Sequence, residues 1–117
     1  MKPENTLQWS VSQNNESLVV QLKGELTRAT LRPLWEQRAS FLSVKANQVI
    51  YWNLEQISRI DSAGFALLTE LLNYYKKQTQ ISLIHVPQVF KTLAELYGLI
   101  DWVKQYIPNE NQNVINT

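Results

Sequence analysis

The 117-residue chain has no cysteine, three glycines, four prolines and one histidine. Without cysteine there is no disulfide framework and no thiolate metal site. His85 stands alone among scattered carboxylates, so no ligand cluster forms and neither a metal nor a cofactor is expected. The glycines Gly24, Gly64 and Gly98 are too few and too far apart for either nucleotide cradle, Gly-x-x-x-x-Gly-Lys or Gly-x-Gly-x-x-Gly. No Gly-x-Ser-x-Gly elbow is present, and the adjacent Asp61 and Ser62 cannot flank one imidazole, which argues against a Ser62–Asp61–His85 triad. An enzyme therefore has no constellation to rest on. No uncharged apolar run approaches the ~20 residues of a membrane span, and the N-terminus lacks the apolar core of a signal peptide. Eleven basic and ten acidic residues leave a net charge of +1, too balanced to imply nucleic acid or direct membrane insertion.

What is there is ordinary globular material, 44% hydrophobic and 18% charged, enough for one domain with one core. Leu7, Trp9 and Val11 alternate with polar residues, as do Leu18, Val20 and Leu22, and the polar Gln13–Glu16 between them predicts an antiparallel hairpin closed by Gly24. Thr27 opens a helix running to about Leu42 whose regular part should begin near Thr30, because Pro33 is tolerated only in a first turn. Gln48–Leu54 is nearly continuous in apolar and aromatic residues, the pattern of a central strand covered on both faces. A loop over Glu55–Asp61 leads to an amphipathic helix from Ser62 to Lys77, with Gly64, Leu67, Leu68, Leu71 and Tyr75 on its buried face. Ile81–Val86 should be a strand parallel to the central one, since a helix intervenes. Two shorter helices follow, the first closed by Gly98 and the second running from Leu99 to Ile107. The fold class is α/β: a mixed four-stranded sheet, an N-terminal hairpin plus parallel strands, with about four helices over residues 1–107. Residues 108–117 are expected to form a flexible polar tail.

The stretch Asp61-Ser62-Ala63-Gly64-Phe65 joins the most apolar strand to the clearest helix. Ser62 is expected to be the helix N-cap, accepting from free N–H groups of the first turn. The same N–H groups would favour a phosphate on the serine, so Ser62 is also a possible phosphoacceptor. Phe65, at the edge of the apolar stripe, is expected to reach the surface and make the junction a docking site for a protein. The helix carrying Trp35 is a second, weaker candidate.

The segment Val49–Leu54, Ile57, Ile60 and then Asp61-Ser62-Ala63-Gly64-Phe65-Ala66-Leu67-Leu68 resembles the STAS domain, whose pattern is a strand, a short loop, Asp-Ser/Thr-x-Gly and a helix. Leu22-Lys23-Gly24-Glu25-Leu26 is similar to the Gly-Glu-Leu segment that precedes the first helix of that family, and the likeness runs from about Leu7 to Ile107. Leu31–Arg38 and Lys91–Leu99 resemble the branch that serves phospholipid-transporting ABC complexes of Gram-negative bacteria. The resemblance implies a non-catalytic cytoplasmic subunit, peripheral to the inner membrane, that binds the ABC transporter ATPase through Asp61, Ser62, Ala63, Gly64 and Phe65. In sporulation-type relatives the matching serine is phosphorylated, so the alternative implied is a phospho-switched anti-sigma-factor antagonist. Two departures weigh against that alternative: Asn53 stands where the family has aspartate, and Ala63 where it has serine or glycine.

Overall fold

A computed structural model describes residues 6–45 and 47–108. Strand β1 (Leu7–Gln13) pairs antiparallel with β2 (Ser17–Leu26), and β2 pairs parallel with β3 (Val49–Ile60), which pairs parallel with β4 (Gln80–Ile84). The sheet order is β1-β2-β3-β4. Helices α1 (Arg28–Glu36) and α2 (Arg38–Phe41) follow β2, α3 (Ser62–Lys76) follows β3, and α4 (Gln88–Leu96) and α5 (Ile100–Lys104) follow β4. Among the described residues the expected mixed sheet is present, with five helices where about four were expected. The expected tail lies outside the described residues from 109 onward.

The period of the strands sets the core. Leu18, Val20 and Leu22 of β2, Ile50, Trp52 and Leu54 of β3, and Ile81 and Leu83 of β4 are buried and share one cluster with Leu31 and Leu34 of α1, Leu68 and Leu71 of α3, Phe90 and Ala94 of α4, and Val103 of α5. The alternate residues Val19, Gln21, Tyr51 and Asn53 are half-buried, so the central strands are fully covered on the helix side alone, not on both as expected. A run that reads as continuous is a strand of buried Ile50, Trp52 and Leu54 interleaved with the half-buried, amphipathic Tyr51 and the polar Asn53.

Three local features depart from expectation. The segment Glu55–Ile60 is not a loop: β3 continues through it to Ile60, in register with β2 up to Leu26–Ile60. Register shifts between Gln21 and Lys23 and between Gly24 and Glu25 absorb its polar residues, and Asn53 Oδ1 accepts from the Glu55 N–H at 2.9 Å beside the first of them. Gly24 does not end β2 but lies within it at φ 116°, a conformation closed to most side chains, and a Cβ there would meet the Thr6 carbonyl. Finally, α1 begins at Arg28 and places Pro33 inside the helix. A capping box makes the early start possible. The Thr30 N–H donates to Thr27 Oγ1 at 3.1 Å, the Thr27 N–H donates to Thr30 Oγ1 at 2.9 Å, and the Thr30 hydroxyl donates to the Glu25 carbonyl at 2.7 Å. The helix then breaks at Gln37, and α2 starts afresh.

Candidate functional site

Because β2 and β3 are parallel, their carboxyl ends deliver α1 and α3 side by side. Leu26 pairs with Ile60, and the Asp61 N–H donates to the Leu26 carbonyl at 3.2 Å. Thr27 caps one helix and Asp61 the other, so two helix N-termini open at the same sheet edge. In parallel sheets this edge is where binding sites gather.

The cap of α3 is Asp61, not Ser62. Its Oδ1 accepts from the Gly64 N–H at 2.7 Å. The carboxylate is the stronger acceptor at the positive end of a helix, and it takes the place expected for the hydroxyl. Ser62 becomes the first helical residue, exposed, with a hydroxyl that has no hydrogen-bond partner among the described residues. Replacing Asp61 by alanine should cost about 1 kcal/mol of unfolding free energy in urea, against roughly half that or less for Ser62→Ala. Equal costs would move the cap back to the serine.

Gly64 and Phe65 are buried, so the surface expected of Phe65 is absent. Its ring lies 5.0 Å from Phe90 at 61° and 6.0 Å from Tyr97 at 19°, centroid to centroid. The apolar face of α3 is wide enough to include position 65, a width that a narrow helical stripe underestimates. The exposed aromatic at this place is Tyr97, 50% exposed and stacked on Phe65. Beside it on α4 are Leu96, 70% exposed, and Val89, 43% exposed. These three are most of the exposed large apolar residues among those described. Their spacing along Val89–Tyr97 was legible in the sequence as an apolar helix face, but which residues of that face stay outside is decided by how α4 lies on α3.

Of the five residues expected to bind a partner, then, the structure leaves Ser62 and Ala63 exposed and Asp61 half-buried, and places Gly64 and Phe65 beneath them. Ala63 also lines a groove of about 610 Å³ between α1 and α3, with Leu67 and Glu70 on one wall and Arg28, Arg32, Trp35, Glu36 and Arg38 on the other. The weaker candidate, the helix of Trp35, thus lines one groove with Ala63 of the junction. Arg38, a polar exception on the apolar face of its helix in the sequence, is held by aromatic rings. Its guanidinium lies 4.0 Å over the Trp35 ring and 5.6 Å from that of Tyr74, and its Nη1 donates to the Trp35 carbonyl at 2.9 Å. The Tyr75 hydroxyl donates to the main-chain carbonyl of Arg38. Burial, reinforced by neighbouring Tyr74, pushes the Tyr75 phenol up to about 12, so it remains a donor throughout the physiological range.

Among the described residues no three His, Asp or Glu side chains come together as metal ligands, and no helix is long and apolar enough to cross a membrane. Trp52 is wholly buried in the core, whereas Trp9, Trp35 and Trp102 pack against it in part.

Comparison with known proteins places this geometry. The family described as "Mlab, STAS domain" matches residues 9–105. The intermembrane phospholipid transport system binding protein MlaB of Haemophilus influenzae is 40% identical over 104 residues, 86% of this chain and 99% of that protein. The protein of the same name from Escherichia coli is 42% identical over 79 residues, 67% of this chain and 77% of its own length. Among solved structures, the unphosphorylated anti-sigma factor antagonist SpoIIAA aligns with a TM-score of 0.59 at 22% identity, covering 81% of this chain and 84% of that one. An anti-sigma factor antagonist from Mycobacterium paratuberculosis aligns with a TM-score of 0.65 at 17% identity, covering 81% and 80%. The two structures share the fold, while the sequence matches narrow the family: with its Asp61-Ser62-Ala63-Gly64 junction at the head of α3, this chain belongs to the STAS domain family, in its MlaB branch.

Proposed function

We propose that the chain is a non-catalytic subunit of a phospholipid transport system, and that it works on the cytoplasmic side by binding the ATPase of an ABC transporter. The MlaB relatives are named for such a system. The observation that carries the reading is the continuity of the exposed turn Ser62–Ala63 with the groove that holds Trp35. A half-buried tryptophan lining a groove among charged residues is a usual anchor of a protein interface. Tyr97 and Leu96 extend the surface on the side of α4. No chemistry is needed of the site: Asp61 is spent on the helix cap, and docking would act by ordering the ATPase or biasing its dimer.

The test is co-purification with the ATPase of the chain's own transport system. Wild type should retain it, and Trp35→Ala should weaken binding by on the order of 30-fold or more. Ser62→Glu should also release it, because a carboxylate replaces an uncharged hydroxyl that contact with the partner would desolvate. Recovery of a protein kinase and no ATPase would defeat the proposal in favour of a phospho-switched anti-sigma-factor antagonist. One observation favours that second reading: the Ser62 hydroxyl is exposed and not engaged as a cap, so a kinase could reach it. A phosphate there would add about −1.5 to −2 charge next to Asp61 and repel an acidic partner.

A further inference from the structure

We infer that Arg38 is the specificity-determining residue of the groove, receiving a carboxylate from an aspartate or glutamate of the protein segment that docks there. The inference rests on the docking proposed above and goes beyond it by naming the chemistry of the partner. The guanidinium is held before any partner arrives, 4.0 Å over the Trp35 ring and 5.6 Å from that of Tyr74, with one N–H committed to the Trp35 carbonyl at 2.9 Å. A guanidinium has five N–H donors in a planar fork, so most of its donor capacity remains for a ligand.

Its charge, moreover, is not neutralised. The ion pair seen among the described residues is Arg32–Glu36 at 3.0 Å, between side chains 69% and 60% exposed. Neither Arg28 nor Arg38 makes such a pair with a described carboxylate, and Glu70 on the facing wall is not bonded to Arg38. Arg38 is already half-buried. Covering it with a partner that brought no anion would strand a desolvated charge, whereas a partner carboxylate would meet a rigid, correctly shaped receptor. Each wall of the groove also has an apolar residue, Trp35 on one and Leu67 on the other, which favours a protein segment carrying an acidic residue among apolar ones over a free anion or a lipid headgroup.

The backbone break at Arg38 does not depend on its side chain. Tyr75 holds the break between α1 and α2 through the main-chain carbonyl of Arg38, and that bond survives any change of side chain. The experiment is therefore a calorimetric titration of the full chain against the ATPase of its transport system, over a series of NaCl concentrations, with a thermal unfolding curve for each variant. Arg38→Gln should weaken binding by roughly 30-fold or more and flatten its salt dependence, while the unfolding midpoint falls by only the few degrees that the lost ring contacts and the lost bond to the Trp35 carbonyl account for. Arg38→Lys should recover only part of the loss, because an ammonium neither stacks nor forks in the same way. Wild-type affinity in Arg38→Gln would overturn the inference and leave the docking reading standing. So would a lowered unfolding midpoint with an unchanged salt slope, since that is the signature of a purely structural residue. Arg38-dependent binding to anionic phospholipid vesicles, with no loss toward the ATPase, would overturn it in favour of a headgroup. A wild-type chain that fails to bind the ATPase would overturn both.

Discussion

Gly64→Ala should destabilise the protein by about 3 kcal/mol or more, seen as a lower urea midpoint at an unchanged slope. Propensity alone gives the opposite sign, since alanine is favoured over glycine in a helix by roughly 1 kcal/mol. Sterics decide. A Cβ at position 64 falls closer than 3.0 Å to the carbonyl oxygen and carbon of Leu26 and to Thr27 Cα, all main-chain atoms that no rotamer change can move. The same Leu26 carbonyl accepts from the Asp61 N–H at 3.2 Å, and Asp61 in turn caps Gly64 at 2.7 Å. Relieving the clash by lifting α3 would therefore stretch the bond to β2 and unseat the cap. Against a total stability of about 5–15 kcal/mol for a domain of this kind, that is a large fraction. The role of this glycine is close approach: it lets the first turn of α3 rest on the end of β2, and so brings α1 and α3 near enough to form one groove. An alanine variant as stable as wild type would show that α3 can shift freely, and the groove would lose its claim to be a preformed site.

The same contact explains what the sequence could and could not reveal. The order of strands and helices was legible because each has a period of its own, two in β1 and β2 and about 3.6 in α3. The family followed from motifs at fixed spacing. The cap was misassigned because Asp61 and Ser62 are both good N-caps and stand side by side, and the choice depends on where β3 stops. That point was itself hidden. Glu55, Gln56, Ser58 and Arg59 have a loop's composition, but their backbone pairs with β2 across two register shifts, which composition does not report. Likewise, Pro33 argued for a later start of α1, and the Thr27–Thr30 capping box with its bond to Glu25 outweighed it. Of the residues expected at the docking edge, the structure leaves Ser62 and Ala63 exposed. The groove was not foreseeable, because Trp35 and Ala63 lie 28 positions apart and meet only through the pairing of β2 with β3.

Phe65 and Tyr97 should give opposite results in the same pair of measurements. Phe65→Ala should cost about 3–5 kcal/mol of stability, the range for truncating a fully buried phenylalanine, because its ring is 1% exposed and packs on Phe90 and Tyr97. Any loss of partner binding would then follow the loss of folded protein, and Phe65→Leu, which keeps most of the volume, should bind normally at temperatures where it is folded. Tyr97→Ala removes a ring that is half in solvent, so its cost to stability should be about 1 kcal/mol, mostly the stacking on Phe65. Its cost to binding of the proposed ATPase partner should be at least about tenfold, since the ring and the neighbouring Leu96 are exposed apolar groups on the side of α4. Urea unfolding and calorimetric titration on the three variants separate the cases. If Phe65→Leu binds poorly while remaining fully folded, and Tyr97→Ala binds as wild type does, then the partner reaches Phe65 itself, and α4 must move aside on docking. If the results fall as expected, Phe65 serves the site from below. It supports Tyr97 from the buried side, as Gly64 sets the height of α3 and Asp61 holds its first turn, and the partner touches only what these three residues position.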